Sequence, residues 1–422
     1  MIKTLLVGPI FSRSGYGEHA RFITDALLSQ GDFDIHLHPI HWGVSSWLNN
    51  NQEKTKLYEE LCVKKEINEE QPEEKKKYDL IIQVTIPSEW DLYSQMFKGD
   101  CCIGITAGAE TDTVPPHWMM SADRVDHIIF TSNHARNGFK NTTLSLKAEN
   151  SDDVINRKGL SVSSDVVGYP VKELNPKDLS ESLSLTTDYN FLTITQLAPR
   201  KNSELLIHSF IKEFYNENVG LVLKMHHGNN SNYDRHMLRN GFMKSFHDPN
   251  RKCKIYWIHG SMTESELHGL YNHPQIDSYI TTTHGEGFGL PLFESSYYGL
   301  PVCAPNWSGH LDFLKVPKGK KHEVMFEKIK GEVREVHESC YMENIIMPGM
   351  KWCHPTEKDT RKSMRAMVTA RVPKKRIAER LKKHLREEFS EDNQFKKIGD
   401  ICRGIFERKT AWKRSQEDIK VF

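Results

Sequence analysis

The chain has no apolar run near the ~20 residues that cross a bilayer, no Cys-x-x-Cys pair and no surplus of charge of one sign. Each absence removes a class of protein. Without a long apolar run, no transmembrane segment is expected. The eight cysteines, at 62, 101, 102, 253, 303, 340, 353 and 402, are scattered over 422 residues. That pattern argues for buried thiols in a reducing, cytoplasmic compartment rather than a disulfide frame or a zinc site, and it leaves the sequons at Asn141 and Asn306 idle. Lys and Arg number 57 against 56 Asp and Glu, a formal charge of +1. So even a balance gives no global pull toward nucleic acid, although local basic patches can hide inside it. The opening MIKTLLVGP carries one lysine and a five-residue apolar run, too little for a signal peptide.

Apolar residues make up 38% of the chain and aromatic residues 10%, enough to fill a core. At this length two domains are the expectation. Short apolar runs at 2–7, 34–40, 79–84, 101–106, 127–131 and 162–167 read as strands, separated by helix-like stretches such as EHARFITDALLSQG at 18–31. A second series has strands at 190–195, 219–225, 254–258, 277–281 and 301–304, with helices at 203–215, 263–271 and 291–299. Such alternation implies an α/β fold with largely parallel sheets. We divide the chain into an N-terminal Rossmann-like domain (1–170), a polar linker (171–189) and a C-terminal Rossmann-like domain (190–385). A helical segment (386–422) then returns toward the first domain, its buried face carrying Phe395, Ile398, Ile401, Phe406 and Trp412. The charged run 64–77 reads as a solvated excursion.

Two loops carry the candidate chemistry. After the first strand, LLVGPIFSRSGYGEHAR places Gly15 and Gly17 ahead of a helix whose free amides suit a phosphate or a carboxylate. The spacing is not Gly-x-Gly-x-x-Gly, which counts against a dinucleotide site. The denser stretch is DSYITTTHGEGFGLPLFESSYYGLPVCAPNWSGHLDFL at 277–314. There Gly285, Gly287 and Gly289 strip side chains from a turn so that backbone N–H groups can face a ligand, and Pro291 fits a first helical turn. Glu286 and Glu294 stand eight apart on either side of that turn. Carboxylates offer acceptor oxygens suited to the vicinal diols of a sugar and a ribose.

These residues resemble the retaining GT-B glycosyltransferases of the glycogen-synthase and sucrose-synthase-like family, family 4, through their E-x7-E motif: Glu286-GFGLPLF-Glu294, followed by Gly299, Pro301 and Gly309. The resemblance implies two Rossmann-like domains whose parallel sheets face a central cleft, with a C-terminal helix packing back across them. It implies a nucleotide-sugar donor, UDP-linked first and GDP-linked second, with no metal and no tightly bound cofactor. By the same resemblance Glu286 contacts the donor sugar, Gly287, Phe288, Gly289 and Leu290 present amides to sugar and diphosphate, and Glu294 binds the ribose. Upstream, Thr195-Gln196-Leu197-Ala198-Pro199-Arg200-Lys201-Asn202 lies where the family has a glycine-arginine and a lysine on the diphosphate. Lys201 fits; Gln196 replaces the arginine, and Arg200 stands close enough in sequence to supply that charge.

The N-terminal half is expected to carry the acceptor. Its candidate rim is GITAGAETDTVPPHWMMSADRVDHIIFTSNHARNGF at 104–139, where Glu110 and His117 are the residues singled out and Ser132, Asn133, His134 and Arg136 follow the next strand. The same polar groups also suit helix caps and loop hydrogen bonds. The acceptor stays open among a glycan, a lipid-linked sugar, a protein and a modified nucleic-acid base. Basic stretches at 315–323 and 373–386 offer peripheral contact with an anionic surface, or simply solvated helical faces. The competing functions are a nucleotide-sugar epimerase of the same fold, a transferase acting on modified DNA bases, and a non-catalytic scaffold.

Overall fold

Buried on both faces, the strands of an all-parallel sheet read as near-continuous apolar runs, and IKTLLVG and YDLIIQV do so here. In the computed structural model, which describes residues 1–43, 45–48, 53–63, 77–147 and 154–417, these runs form the middle of a six-stranded sheet. The order is Phe33–Pro39, Ile2–Gly8, Lys77–Val84, Lys98–Thr106, His127–Phe130 and Ser163–Val166, every pairing parallel. A second six-stranded sheet runs Lys254–Ile258, Val219–His226, Tyr189–Gln196, Ser278–Ile280, Val302–Pro305 and Glu327–Ile329, again parallel throughout.

The chain divides into two compact units. The first comprises Met1–Pro170, Met342–Met347 and Glu391–Phe422; the second comprises Val171–Tyr341 and Pro348–Ser390. The polar stretch expected as a linker has no regular secondary structure before Tyr189, where a strand begins, yet it is docked within the second unit. Leu179 and Leu185 are buried, and the Lys177 carbonyl lies 2.3 Å from where a Cβ on Gly269 would stand.

In the second sheet the first strand of the unit lies between the second and the fourth, so strand order reverses direction between Tyr189–Gln196 and Ser278–Ile280. In the first sheet the reversal falls between Ile2–Gly8 and Lys77–Val84. Ligands of open α/β sheets bind outside the carboxyl ends of strands at such points. The glycine loop at 15–17 and the loop 281–289 both follow strands that flank them.

Three features depart from the expectations. The sixth strand of the second sheet, Glu327–Ile329, is three residues long, and only its Ile329 is fully buried, so it carries no periodic signal. Antiparallel pairs Thr143–Lys147 with Val154–Lys158, Lys315–Lys318 with Lys321–Val324, and Gly331–Glu335 with Lys351–Pro355 were not foreseen; their strands are mostly polar and exposed, except Lys351–Pro355, which buries Trp352 and Cys353. The final helix, Glu391–Glu417, buries Gln394, Ile398, Cys402 and Ile405, a stripe at i, i+4 and i+3 spacing. It packs against the helix Gly15–Gln30 of its own unit, with Arg403 bound to Asp32 at 2.7 Å and Lys409 to Asp126 at 2.6 Å. Trp412, expected on the buried face, is 57% exposed and lies 5.4 Å from the Lys409 ammonium. The charged run 64–76 lies outside the described residues.

All eight cysteines are free, five of them buried. Among the described residues no helix is long and apolar enough to cross a membrane. The two basic stretches are partly paired internally: Glu323 accepts from Lys318 at 3.1 Å and from Arg380 at 2.8 Å.

Ile398→Ala should therefore open a cavity and destabilise the first unit by about 2–5 kcal/mol. Trp412→Ala should change stability by no more than about 0.5 kcal/mol. Differential scanning calorimetry of the two variants reads both.

Candidate functional site

The loop after Tyr189–Gln196 turns through a short 3-10 segment, Pro199–Lys201, and Asn202 adopts a left-handed conformation (φ 51°) before the helix Ser203–Phe214. Asparagine tolerates that region better than most residues. Facing it, the segment after Ser278–Ile280 is stitched on by backbone and hydroxyl bonds. The His284 amide donates to the Arg200 carbonyl at 2.8 Å, and the Thr282 hydroxyl to the Asn202 carbonyl at 2.8 Å. The switch point is thus closed by two loops that hold each other.

At their junction sits Glu286, buried. Lys201 Nζ donates to both of its carboxylate oxygens, at 2.7 and 2.8 Å. Arg200 Nη1 donates to Oε2 at 3.2 Å and to the Gly285 carbonyl at 2.6 Å. Burial pushes the Glu286 carboxyl up, but the charges of Lys201 and Arg200, with hydrogen bonds from Lys201 and Thr283, outweigh it and hold the pKa at about 2. The group is an anion across the physiological range. Three of the residues picked from the sequence, Glu286, Lys201 and Arg200, therefore form one ion cluster of two cations and one anion. Gln196, in contrast, ends its strand exposed to solvent, in register with His226.

The glycine turn is fixed from behind. The Glu286 amide donates to Ser308 Oγ at 2.9 Å, and the Gly309 amide to the Glu286 carbonyl at 2.9 Å. A Cβ on Gly309 would stand 2.0 Å from the Gly287 carbonyl oxygen, so only glycine lets the backbones meet. Gly289 (φ 97°) leads into the helix Leu290–Tyr297, with Pro291 in its first turn. The Phe288 side chain is core, packed on Phe293 and Phe313 at centroid distances of 5.2 and 5.0 Å; what it can offer a ligand is backbone. Glu294, on that helix, accepts from the Tyr271 hydroxyl at 2.8 Å.

Several supporting residues gave no signal in the sequence. Ser308 holds the turn at φ 83°, and Thr283 and Tyr271 hold the two glutamates. His284 stacks flat on Trp352 (4.6 Å, 4°), and its Nδ1 donates to the Cys353 carbonyl at 2.6 Å. Burial lowers the His284 pKa to about 4, so it buttresses the loop as a neutral ring. The unforeseen strand Lys351–Pro355 is what supplies this backing.

His117 and Glu110 belong to the first unit. Burial lowers the pKa of His117, whose ring bonds the Asn344 backbone; its Nε2 is buried without a partner. Ser132 is the N-cap of the helix Asn133–Asn141, accepting from the Ala135 amide at 3.1 Å, and Arg136 bonds Asn133 at 2.6 Å. On that half of the candidate rim Ser132 serves as a helix cap. Gly15 and Gly17, expected in a loop, form the first turn of the helix Gly15–Gln30, capped by Ser14; a Cβ on Gly17 would stand 2.0 Å from the Ser12 carbonyl oxygen, whereas one on Gly15 would meet nothing within 4 Å. Gly17 shapes the loop; Gly15 leaves open space. Among the described residues no group of three or more His, Cys, Asp or Glu is placed to hold a metal.

No known family profile matches the chain, and no curated protein sequence does. Solved structures do. The chain is similar to HepE of Anabaena, crystallised with UDP and glucose, at 13% identity and a TM-score of 0.60 over 96% of this chain and 100% of that one. It is similar to sucrose-phosphate synthase from Thermosynechococcus elongatus at 12% identity and a TM-score of 0.59, covering 97% and 100%. It is also similar to α,α-trehalose 6-phosphate synthase from Burkholderia multivorans at 9% identity and a TM-score of 0.60, covering 100% and 99%. Identities this low establish the fold: two Rossmann-like units with parallel sheets, the GT-B fold.

The ion cluster makes a specific demand. A carboxylate whose folded pKa is depressed stabilises the protein above the ordinary carboxylate range, and loses that contribution as pH falls from about 4.5 toward 2. Lys201→Met should raise the Glu286 pKa, move acid unfolding of the second unit to higher pH, and destabilise it at neutral pH by about 3 kcal/mol. An acid titration followed by circular dichroism checks the direction; an unchanged midpoint would show that the pair contributes nothing.

Proposed function

We propose that this chain is a retaining glycosyltransferase of the family-4 kind, moving a hexose from a nucleotide-diphosphate sugar, UDP-linked first and GDP-linked second, to an acceptor. The observation that carries the reading is the buried Glu286–Lys201–Arg200 cluster at the topological switch point, inside an intact E-x7-E loop. That HepE, of the same fold, was crystallised with UDP-glucose supports the choice of donor.

Replacing a nucleoside diphosphate at an anomeric carbon creates charge in two places. The departing diphosphate is anionic; Lys201, Arg200 and the amides of Gly287, Phe288, Gly289 and Leu290 answer it. The sugar becomes oxocarbenium-like, and the Glu286 carboxylate answers that. With a pKa near 2 it is a poor proton acceptor at neutral pH. Its role is to accept hydrogen bonds from sugar hydroxyls and to balance positive charge, while the leaving phosphate takes the acceptor's proton. Glu294, aligned by Tyr271, takes the ribose diol. In the first unit the backbone at Gly15 and Gly17 serves the donor phosphate or the acceptor, and Glu110 and His117 serve the acceptor side.

Isothermal titration with UDP, GDP, ADP, dTDP and CMP, and with the sugar conjugate of each, tests the donor site. One nucleotide should bind selectively, and Glu294→Ala should weaken it by about tenfold or more, the cost of leaving ribose hydroxyls without their acceptor. A folded protein that binds none of them would sink the transferase reading in favour of a scaffold.

A further inference from the structure

The even charge of the whole chain conceals one strongly uneven region. Residues 315–323 and 371–388 together hold twelve Lys and Arg against four Glu, whereas the full sequence has 57 basic residues against 56 acidic ones. Both segments belong to the second unit, and the fold brings them side by side. Glu323, on the hairpin of Lys315–Lys318 with Lys321–Val324, accepts from Lys318 at 3.1 Å and from Arg380 at 2.8 Å. Glu327, just beyond the hairpin, pairs with Lys374. Two carboxylates thus fasten the hairpin segment to the helix Arg371–Glu388.

The helix decides which cations face outward. It buries Ala378, Leu381 and Leu385, so its opposite face carries Arg376, Arg380 and Lys383, at i, i+4 and i+7. The side chains of Arg380 and Lys383 are 57% and 79% exposed, and that of Lys318 is 71% exposed. Lys320 and Lys321, at the hairpin turn, are exposed too. Glu323 offsets part of this charge, and Glu387 lies 3.9 Å from Lys383. Glu379 is directed elsewhere: a Cβ on Gly299 would stand 2.7 Å from its Oε1. Arg376, Lys320 and Lys321 enter no ion pair among the described residues.

We infer that this face docks a nucleic-acid duplex through its phosphate backbone. Arg376 and Arg380 are like charges one helical turn apart and repel each other; an array of anions relieves that repulsion. The guanidinium fork matches phosphate oxygens, and the lysines add point charges. The rest of the face selects among polyanions. Single-stranded nucleic acid is held by stacking on aromatic side chains, and neither segment contains Phe, Tyr or Trp. A helix that lies in a lipid surface inserts its apolar face; here that face is buried, and Val372 is the only exposed large apolar side chain of the two segments. A duplex needs neither feature, because phosphate contacts alone supply sequence-independent binding. None of these residues belongs to the proposed donor site, so duplex docking and donor binding stand or fall separately.

The test titrates the full chain into a fluorescein-labelled DNA duplex of about 24 base pairs, its single strand, and phosphatidylserine vesicles, at 50 and 200 mM NaCl. Anisotropy reads the nucleic acids and co-sedimentation the vesicles. With Lys318, Lys320, Lys321, Arg376, Arg380 and Lys383 on phosphates, duplex affinity should fall about a thousandfold between the two salt concentrations. Arg376→Glu with Lys383→Glu, and separately Lys320→Glu with Lys321→Glu, should each weaken duplex binding about tenfold or more and make its salt dependence shallower. Arg235→Glu with Arg239→Glu changes net charge equally on another exposed helix of the same unit, Asn232–Asn240, and should leave duplex binding unchanged. Thermal melts followed by circular dichroism check that each variant is folded. No duplex binding at the lower salt would overturn the inference. So would an equal loss in the Arg235 and Arg239 variant, tighter binding of the single strand, or binding of vesicles without the duplex.

Discussion

A carboxylate taken out of water costs several kcal/mol unless charge and hydrogen bonds replace its hydration, and the second unit is organised around meeting that demand for Glu286. Lys201 and Arg200 come from the loop after Tyr189–Gln196; Glu286 comes from the loop after Ser278–Ile280. The pairing therefore joins the two strands between which the strand order reverses, and it fixes the mouth of the sheet where this fold class places its ligands. The other contacts follow from it. Ser308 and Gly309 hold the Glu286 backbone, Thr283 holds its side chain, and His284, neutral and stacked on Trp352, holds the approach to it. Remove the ion cluster and these bonds would be aligning a turn with nothing to present.

The first unit meets a similar geometric demand by different chemistry. Its glycine segment is backed by an ion pair on the helix that follows, Arg21 with Glu18, rather than by a carboxylate held in the turn. Gly17 is required because the Ser12 carbonyl oxygen would stand 2.0 Å from any Cβ there, and Arg21 reaches back to the carbonyls of Ile10 and Ser12 at 2.6 and 2.9 Å. The loop is shaped by backbone acceptors drawn onto one guanidinium.

How much of this could be read from the residues depended on whether a feature carried periodicity. All six strands of the first sheet and five of the second were legible because parallel strands buried on both faces are apolar runs. Glu327–Ile329 was not, since an edge strand of three residues with one buried side chain repeats nothing. The polar hairpins were hidden for the same reason. Glu286 and Glu294 stood out by spacing, and Lys201 and Arg200 by their place after a strand; but that these four sort into one ion cluster and one tyrosine-held carboxylate is a matter of tertiary contact. Tyr271, Ser308 and Trp352 act through distances of 23, 22 and 68 positions in the chain, and no local pattern encodes such pairings. Trp412 shows the converse failure: seven residues beyond Ile405 it lies on the same face as the buried stripe of Ile398, Cys402 and Ile405, which invited burial, but near the helix end that face is uncovered and the ring is exposed.

The charge count of the cluster constrains how a donor would be handled. Lys201 and Arg200 together with Glu286 sum to a single positive charge, while a diphosphate bridging a sugar and a ribose carries about two negative ones. Under the transferase reading proposed above, a donor entering this site would draw the two cations partly away from Glu286, and the carboxylate would then need new donors, which sugar hydroxyls could supply. The exchange keeps each buried charge paired at every stage, and that condition is the one buried ions obey. It also ties sugar recognition to diphosphate recognition. On that reading, a nucleoside diphosphate without its sugar would take the cations and leave Glu286 under-satisfied, whereas the intact nucleotide sugar would not.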